Sequence, residues 1–372
     1  MAKILIIGAL AESLYNFRGD LIRSLMLKGH EVLVMAGHTD NYTRKRIEKH
    51  GVTFISYPVQ RNGVNPRFDL TTFFSLRSTL IIINPDIVLA YTIKPVIWGG
   101  LAIGTLRKKI RFYALITGLG LSFQPGGFKQ KALSALVTNL YRIALYKAER
   151  VIFQNRDNMR EFVDRKIVRS QKCVVVNGSG VNISYFNVQG LPQGPVVFLT
   201  IARLLGDKGL RVYAQAAAIV KSKYPDVVFN IVGPIDPSPD GISIEEVESW
   251  QVSGAINYLG STSDVRPFIV NCHVYVLASF HEGLPRTVLE AMSMGRPILT
   301  TDVPGCRETV LPGKNGYLVP VNNIMALVDR MIWFVNNSKE LTYMGMKSRK
   351  IAEKRFDVNI INEKMLSIMG LS

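Results

Sequence analysis

The chain has 372 residues, of which 48% are hydrophobic and 20% charged, and its formal net charge is +17. This length suits two domains, and the apolar content is ample for packed cores and excludes a disordered chain. Residues 1–190 hold 27 basic and 11 acidic residues, so the first half carries almost the whole positive excess. Such a half attracts polyanions, meaning nucleic acid, anionic lipid headgroups or phosphorylated substrates.

The motifs, the cysteine spacing and the apolar tracts of the sequence disfavour several classes of protein. No recognition module or zinc-ligand pattern supports a nucleic-acid partner. The cysteines, Cys173, Cys272 and Cys306, have no paired spacing, which predicts neither a disulfide framework nor a zinc site and suits a reducing cytosol. The longest apolar tract, Leu80–Leu106, contains prolines and charges and predicts no transmembrane helix. The short apolar run Ile4–Ile7 fits a first buried strand better than a signal peptide.

The first half alternates predicted strands and helices, the pattern of a doubly wound parallel α/β sheet. The predicted strands are Lys3–Ile7, Glu31–Met35, Thr53–Ile55, Asp86–Ala90, Arg111–Ile116, Arg150–Phe153 and Cys173–Val176. The predicted helices are Phe17–Lys28, Tyr42–His50, Leu70–Ile83, Pro95–Leu106, Lys129–Ala148 and Asp157–Arg165. Because Gly8 alone follows the first strand, the dinucleotide-binding fingerprint is absent and a nicotinamide dehydrogenase is disfavoured.

The predicted helix Lys129–Ala148 is the strongest candidate for a membrane contact. It places Lys129 and Lys131 beside an apolar face. A basic amphipathic helix of this kind can lie on an anionic bilayer with its apolar face inserted. An ordinary core helix with a solvated basic face has the same pattern, so the two interpretations stay open.

The second half repeats the α/β pattern after a flexible run at Asn177–Gly180. We predict a first domain at 1–186, a second at 187–355, and a C-terminal helix at about 356–372 that packs back on the first domain. The predicted strands are Val196–Thr200, Val227–Val232, Ile256–Tyr258, Val274–Ala278, Pro297–Thr300 and Tyr317–Val319. The predicted helices are Leu210–Lys221, Ile244–Ser253, a short one after Asp264, Arg286–Met294 and two within Asn323–Met369.

Charged residues follow two strands of the second half. Arg203 and Lys208 follow its first strand, Glu282 follows its fourth, and Glu290 lies on the next helix. Open α/β sheets bind ligands at the carboxyl ends of their strands. A forked guanidinium and an ammonium are the side chains that bind a diphosphate, and they stabilise it as charge develops on it.

This set of residues resembles the family 4 glycosyltransferases, retaining enzymes of the GT-B fold. The likeness rests on Arg203 with Lys208 and on Glu282 with Glu290. It extends to bacterial enzymes that add N-acetylhexosamine or hexose to lipid-linked glycans through three further runs, Asn16-Phe17-Arg18, Gly118-Leu119-Gly120 and Gly180-Val181-Asn182. The resemblance implies two Rossmann-like doubly wound domains facing across a cleft.

The resemblance also implies the substrates. The donor is a nucleotide-sugar, most simply UDP-linked, and the acceptor is a polyprenyl-diphosphate-linked saccharide in O-antigen, capsule or related glycan synthesis. Arg203 and Lys208 then stabilise the leaving diphosphate, Glu282 lies near the donor sugar, and Glu290 accepts hydrogen bonds from the ribose. The other predicted donor-binding residues are Gly283, Leu284, Thr287 and Val288. No Asp-rich motif accompanies them, so we predict no metal and no cofactor, the nucleotide-sugar being a co-substrate.

The acceptor side is less defined. Arg18 and Lys94, in or next to predicted loops, are candidates to hold the acceptor phosphate. Many relatives carry a histidine or an acid after the strand that ends at Ile116, whereas this chain has Thr117 and Gly118, so no side-chain base is predicted. A front-face mechanism, in which the departing phosphate oxygen receives the acceptor proton, needs none.

The basic first half predicts a peripheral enzyme on the cytoplasmic face of the inner membrane, with an anionic membrane surface as partner and no nucleic acid. Two other interpretations stay open. A UDP-N-acetylhexosamine 2-epimerase of the same fold would need acid/base side chains but no acceptor. A non-catalytic protein that binds polyanions or lipid surfaces would be unaffected by replacing Glu282 or Lys208.

Overall fold

The computed structural model describes residues 1–49, 51–60, 65–120, 123 and 127–372. The strands are β1 (Lys3–Ile7), β2 (Glu31–Ala36), β3 (Thr53–Ser56), β4 (Ile87–Tyr91), β5 (Arg111–Ile116), β6 (Ala148–Phe153), β7 (Cys173–Val175), β8 (Val197–Ile201), β9 (Val228–Val232), β10 (Asn257–Tyr258), β11 (Val274–Leu277), β12 (Ile298–Thr301) and β13 (Gly316–Val319). The helices are α1 (Ala11–Leu27), α2 (Asn41–Glu48), α3 (Pro66–Ile83), α4 (Ile93–Gly104), α5 (Phe128–Leu145), α6 (Arg156–Asp164), α7 (Leu210–Lys223), α8 (Ile244–Val252), α9 (Arg266–Val270), α10 (Arg286–Ser293), α11 (Ile324–Asn336), α12 (Leu341–Arg355) and α13 (Val358–Met369).

The chain divides into two units. Unit 1 consists of Met1–Ser179 and Ile361–Ser372, and unit 2 of Gly180–Ile360. The sequence prediction placed the boundary later, at residue 186, because no strand or helix assigns the intervening residues to either side. In the structure, the Val181 side chain is buried in a core of unit 2, and its backbone N–H donates to the Phe356 carbonyl.

Within the described residues, unit 1 is built on a seven-stranded sheet in the order β3-β2-β1-β4-β5-β6-β7, with all pairs parallel. The sheet is covered on both faces, which is why its strands read as continuous apolar runs. Ile4 and Ile6 face the core that α1 and α2 cover. Leu5 and Ile7 face the opposite core, covered by α3, α4 and α5.

Two helices of unit 1 begin earlier than the sequence suggested. The sequence predicted that the first helix begins at Phe17 after a loop over Gly8–Asn16, but α1 begins at Ala11 because Ala11, Leu14 and Leu25 continue one buried face. That prediction was wrong, and Arg18 lies about two turns inside the helix and not at its start. Helix α3 begins at Pro66, since the Asn65 side chain accepts the N–H groups of the first turn and proline suits that position. The predicted end of the second helix, His50, lies outside the described residues.

The C-terminal helix α13 completes the core of unit 1. Its side chains Ile361, Met365, Leu366 and Met369 are buried among residues of β1, β2 and α1. Arg111 at the start of β5 donates to the Met369 carbonyl oxygen at 2.5 Å, and the Asn362 amide donates to Ser24 Oγ at 3.2 Å. The first and last parts of the chain thus share one hydrophobic core.

Unit 2, whose residues are all described, has a six-stranded parallel sheet in the order β10-β9-β8-β11-β12-β13. Helices α7 and α11 pack on one face, and α10 and α12 on the other. The guanidinium of Arg296, fully buried, donates to the backbone carbonyls of Gln189, Gly190, Ile269 and Val270. Four backbone oxygens satisfy most of this buried cation, which ties the segment before β8 to the sheet.

Across the described residues, none of the helices is both long enough and apolar enough to cross a bilayer.

Candidate functional site

The candidate site of unit 2 lies where the order of its sheet reverses. Strands β8 and β11 are neighbours, but the chain runs from β8 outward to β9 and β10, and from β11 outward to β12 and β13. The loops that leave two such strands turn in opposite directions, which opens a crevice at their carboxyl ends. Arg203 and Lys208 follow β8, and Glu282 follows β11. The sheet topology therefore brings together residues that are 74 positions apart.

An ion pair joins these two loops. Lys208 Nζ lies 2.8 Å from Glu282 Oε1, and their side chains are only 17% and 16% exposed. Ser279 Oγ donates to the same carboxylate oxygen at 2.9 Å. Burial alone lowers the pKa of the Lys208 ammonium, but the Glu282 and Asp207 carboxylates outweigh it and raise the pKa above its ordinary value. Lys208 is therefore held as a cation in a partly dry site.

The backbone around Lys208 is fixed by a glycine. Gly209 has φ of +68°, and a Cβ atom there would lie 2.0 Å from the Ala278 carbonyl oxygen. Only glycine allows both the left-handed conformation and this close approach. In addition, the Phe280 N–H donates to the Asp207 carbonyl oxygen at 2.8 Å. The loops after β8 and β11 are thus in direct backbone contact, which sets the position of the ion pair.

Asp207 is a further acidic residue of this site, and it was absent from the predicted set. Its Oδ1 atom is buried and has no hydrogen-bond partner among the described residues. Burial raises the pKa of its carboxyl, although the neighbouring Lys208 opposes this. Its backbone N–H donates to Asp240 Oδ2 at 2.8 Å. Lys208 therefore has carboxylates on two sides.

Arg203 is the most exposed cation of the site, with 38% of its side chain accessible. Its Nη1 donates to Asp236 Oδ2, in the loop after β9. Hydrogen bonds from Ser238, together with Arg203, hold the pKa of the Asp236 carboxyl below its ordinary value. The guanidinium is thereby oriented by one carboxylate while more than a third of the side chain stays accessible to solvent.

Glu290 lies inside the first turns of α10 and is 7% exposed. Arg286, one turn earlier, donates through Nε to Glu290 Oε1 at 3.0 Å. Burial raises the pKa of the Glu290 carboxyl, and Arg286 offsets only part of this effect. Arg286, like Asp207 and Asp236, was absent from the predicted set.

The start of α10 supplies backbone donors. The residue before the helix, Pro285, provides no side-chain cap, so the N–H groups of Thr287 and Val288 belong to the uncapped first turn. Such a turn favours an anion. Gly283 and Leu284 precede it, and the Gly283 carbonyl oxygen lies 2.4 Å from where a Cβ of Gly305 would be, so the loop after β12 packs closely against this segment.

Among the described residues, no three side chains of His, Cys, Asp or Glu are grouped so that they could hold a metal ion.

The four predicted acceptor residues all belong to unit 1. Arg18 is buried on α1, with its guanidinium 5.0 Å from the centre of the Tyr91 ring at the end of β4. Lys94 lies in the first turn of α4, not in a loop, and its Nζ is 2.7 Å from Asp69 Oδ1 on α3. Thr117 and Gly118 directly follow β5 and are half-buried.

These positions belong to the carboxyl edge of the first sheet, whose order reverses between β1 and β4. Thr92, at this reversal, has φ of +67°, which is rare for a β-branched residue. Its hydroxyl oxygen is buried and finds no partner within the described part of the chain. Backbone strain of this kind concentrates at functional sites. Sequence patterns contain no signal for it.

The raised pKa of Glu290 gives a testable pH dependence. If Glu290 accepts the hydroxyl groups of a nucleoside, it must be ionised, and protonation removes that capacity. We therefore expect affinity for a nucleotide-sugar to fall by up to about tenfold per pH unit once the pH drops below this raised pKa. Calorimetric titration of the protein with the donor between about pH 8 and pH 5 measures this change in affinity. Glu290→Gln should bind more weakly but with a flat profile. A wild-type profile as flat as that of the variant would contradict the assignment.

Comparison with known proteins places these features in a family. Residues 182–351 match the model of glycosyl transferases group 1, and residues 19–183 match that of glycosyltransferase family 4. The N,N'-diacetylbacillosaminyl-diphospho-undecaprenol alpha-1,3-N-acetylgalactosaminyltransferase of Campylobacter jejuni is 30% identical over 370 residues, covering 96% of this chain and 95% of that protein. The capsular polysaccharide biosynthesis glycosyltransferase CapM of Staphylococcus aureus is 24% identical, covering 94% and 97%.

The fold agrees. The crystal structure of HepE from Anabaena in complex with UDP-glucose has a TM-score of 0.79 at 19% identity and covers 100% of both chains. The two Rossmann-like units with parallel sheets are those of the GT-B fold. With the family models and the full-length relative taken together, this chain belongs to the family 4 glycosyltransferases and is a glycosyltransferase of the GT-B fold.

Proposed function

We propose that this glycosyltransferase moves an N-acetylhexosamine or hexose, with retention of configuration, from a UDP-sugar to a polyprenyl-diphosphate-linked saccharide. The reaction serves the assembly of a bacterial surface polysaccharide. The observation that carries the proposal is the buried Lys208–Glu282 pair, with Arg203 on the same loop, at the crevice of unit 2. A cation that receives a diphosphate and a carboxylate that receives sugar hydroxyls are both needed for a nucleotide-sugar.

The donor fits this arrangement part by part. Lys208 binds the diphosphate as a point charge and Arg203 binds it through its fork. Glu290 accepts the ribose hydroxyls, and the N–H groups of Thr287 and Val288 point to phosphate. Each charge-assisted bond contributes about 1.5–3 kcal/mol, and those that strengthen as the leaving group gains charge accelerate the transfer.

The reaction needs no protein base in this proposal. The bond between the anomeric carbon and the diphosphate oxygen breaks, and its electron pair stays on that oxygen. The acceptor hydroxyl oxygen bonds the anomeric carbon on the same face, and its proton passes to the departing phosphate oxygen. Lys208 and Arg203 stabilise the charge on the diphosphate throughout. Thr117 and Gly118 follow β5 without an acid or a histidine, which supports a mechanism of this kind.

The acceptor is inferred from the relatives and from charge. The Campylobacter relative is named for an undecaprenyl-diphosphate-linked acceptor and for N-acetylgalactosamine. Unit 1 contains the strongly basic first half of the chain, which suits a diphosphate on an anionic bilayer. Arg18 and Lys94 at the carboxyl edge of its sheet are the proposed phosphate contacts. We place the enzyme at the cytoplasmic face of the membrane, where nucleotide-sugars are available.

The test is a panel of UDP- and GDP-sugars with a prenyl-diphosphate-linked saccharide as acceptor. We expect one UDP-sugar to be consumed only when the acceptor is present, and the product to have the anomeric configuration of the donor by proton NMR. Conversion of the donor to its 2-epimer without acceptor would instead establish an epimerase. Transfer with inversion would overturn the front-face mechanism.

Metal removal gives a second prediction. Because Arg203 and Lys208 supply the positive charge at the diphosphate, we expect the initial rate to be unchanged, within about twofold, after dialysis against EDTA. Initial rates with and without added Mg²⁺ measure this. A strict requirement for Mg²⁺ would contradict the assigned role of the two cations.

A further inference from the structure

Helix α3 of unit 1 exposes an apolar stripe. Leu70, Phe74, Ile81 and Ile82 are 52%, 62%, 52% and 79% accessible, although α3 buries its opposite face, with Leu76 and Leu80, in the core. At 3.6 residues per turn these four side chains lie on one outward face. Scattered exposed apolar residues are ordinary, but four on one face of a helix in place of charged residues form a contact surface without a described partner.

Helix α5 exposes a similar surface. Phe128, Leu136 and Ile143 are 87%, 55% and 63% accessible, and Tyr146, directly after the helix, is 80% accessible. The sequence alone left two interpretations for this helix, and its accessibility shows that one face packs in the core while apolar residues of the other face are exposed. Val137, Tyr141 and Leu145 lie in the core of unit 1, while the opposite face carries apolar side chains into solvent.

These two helices belong to one layer. Helix α4 packs against both of them on the same face of the sheet. A Cβ atom on Gly100 of α4 would lie 2.5 Å from the Ala144 carbonyl oxygen of α5, so these helices are in backbone contact. On the other side, Lys94 of α4 pairs with Asp69 of α3. The apolar stripes of α3 and α5 therefore flank α4 on the outer surface of unit 1.

The charge on these faces is of one sign. Asp69 is the single acid within Pro66–Ile83 and Phe128–Lys147, and it is buried against Lys94. Arg67, Lys129 and Lys131 are exposed. A soluble protein partner would be selected by complementary shape, whereas exposed apolar residues accompanied on the same two helices by exposed cations match the boundary between lipid headgroups and acyl chains.

We propose that the outer faces of α3 and α5 form one membrane-docking surface that binds anionic phospholipid. Leu70 and Phe74 on α3, with Phe128 and Leu136 on α5, enter the acyl boundary, and Lys129 and Lys131 contact headgroups. Crossover helices run antiparallel to their strands, so these residues, in the N-terminal halves of both helices, lie toward the carboxyl edge of the sheet. Lys94 and Thr117, which are candidate acceptor residues, lie at that edge. The inference therefore rests on the proposed function, in which the acceptor is linked to a lipid.

The test measures vesicle binding by the full-length protein without donor or acceptor. The variant is Leu70→Ser with Phe74→Ser, and the matched control is Leu27→Ser with Tyr42→Ser. The control residues are more exposed, at 81% and 74%, and lie on α1 and α2, which cover the other face of the sheet. Vesicles contain either phosphatidylglycerol with phosphatidylcholine or phosphatidylcholine alone. Thermal unfolding confirms that each variant folds.

We expect the α3 variant to bind anionic vesicles at least tenfold more weakly and the control to bind like the wild type. Lys129→Gln and Lys131→Gln should each lower binding by about fivefold, corresponding to ~1 kcal/mol per cation, and should reduce its salt dependence. Equal losses in the α3 variant and the control, or equal binding to both vesicle types, would overturn the proposal. The proposal would also be overturned if the α3 variant lost a concentration-dependent dimer and not vesicle binding, because the face would then bind a second copy of the chain.

A second measurement separates this inference from the proposed function. Transfer to a short-chain, water-soluble prenyl-diphosphate acceptor needs no membrane, so the α3 variant should retain wild-type activity there and lose activity only with vesicle-embedded acceptor. If no form of the protein uses a prenyl-diphosphate acceptor, the proposed function fails while the vesicle-binding result stands. An equal loss on both acceptors would overturn the docking role.

Discussion

Replacing Lys208 by methionine is expected to lower kcat/KM for the nucleotide-sugar by about 10²–10³-fold, the loss of one to two charge-assisted hydrogen bonds to the diphosphate. Methionine keeps most of the side-chain volume but removes the cation. It also leaves the Glu282 carboxylate, 16% exposed, without its ammonium partner and close to an anionic ligand. Both effects weaken diphosphate binding, so affinity for UDP itself should fall by a similar factor.

Calorimetric titration with UDP and steady-state kinetics measure the two quantities separately. The matched control is Lys223→Met, in the last turn of α7, where the lysine is exposed. It should bind and turn over like the wild type. UDP affinity unaltered by Lys208→Met would remove Lys208 from the diphosphate site and, with it, the main support for a nucleotide-sugar donor.

Replacing Glu282 by alanine should have a different signature. Turnover should fall by about 10²-fold or more, because hydrogen bonds that position the sugar are lost. UDP affinity should instead stay level or improve up to about tenfold. The reason is the 2.8 Å ion pair: in the donor-free protein Glu282 occupies the ammonium that the diphosphate needs. Removing the competing carboxylate leaves Lys208 available to the diphosphate and removes no contact between the protein and the nucleotide.

The control for this variant is Glu353→Ala, which also breaks an ion pair in unit 2, with Arg349, but on α12. It should leave turnover and UDP affinity unchanged. The double variant Lys208→Met with Glu282→Ala adds a stability measurement. Since each single variant removes the ion-pair partner of a largely buried charge, the double variant should be less destabilised than the sum of the two. Strict additivity in thermal unfolding would mean that the pair does not interact in solution.

The fold was largely accessible from the sequence because its signals are local. Apolar runs such as Ile4–Ile7 and Val274–Leu277, alternating with helical patterns, leave few topologies other than a doubly wound parallel sheet. The start of α1 was not accessible in this way. Leu10, which precedes the helix, provides no side-chain cap, whereas Asn16 is a residue type that often caps a helix, and only the burial of Ala11 and Leu14 shows that the helix begins earlier.

The charged residues of the candidate site could be selected from the sequence, but their partners could not. Lys208 and Glu282 stand out after strands, whereas their ion pair depends on the reversal of strand order that makes β8 and β11 neighbours. Asp236 and Asp69 had no local pattern at all. They are identified only because Arg203 and Lys94 point to them. Ion-pair partners that lie far apart in the sequence are brought together by the tertiary structure, which local propensity and hydrophobic periodicity do not report.

The return of α13 to unit 1 has a consequence for biosynthesis. The core around β1 and α1 includes Ile361 and Met369, so it stays open until the far end of the chain has been translated. Unit 2 is continuous in sequence and needs no segment from a distant part of the chain to complete its sheet. The basic unit, which carries the proposed docking helices, then acquires its complete core last. A chain that stalls after residue 355 would lack α13 and would expose that core to chaperones or proteases.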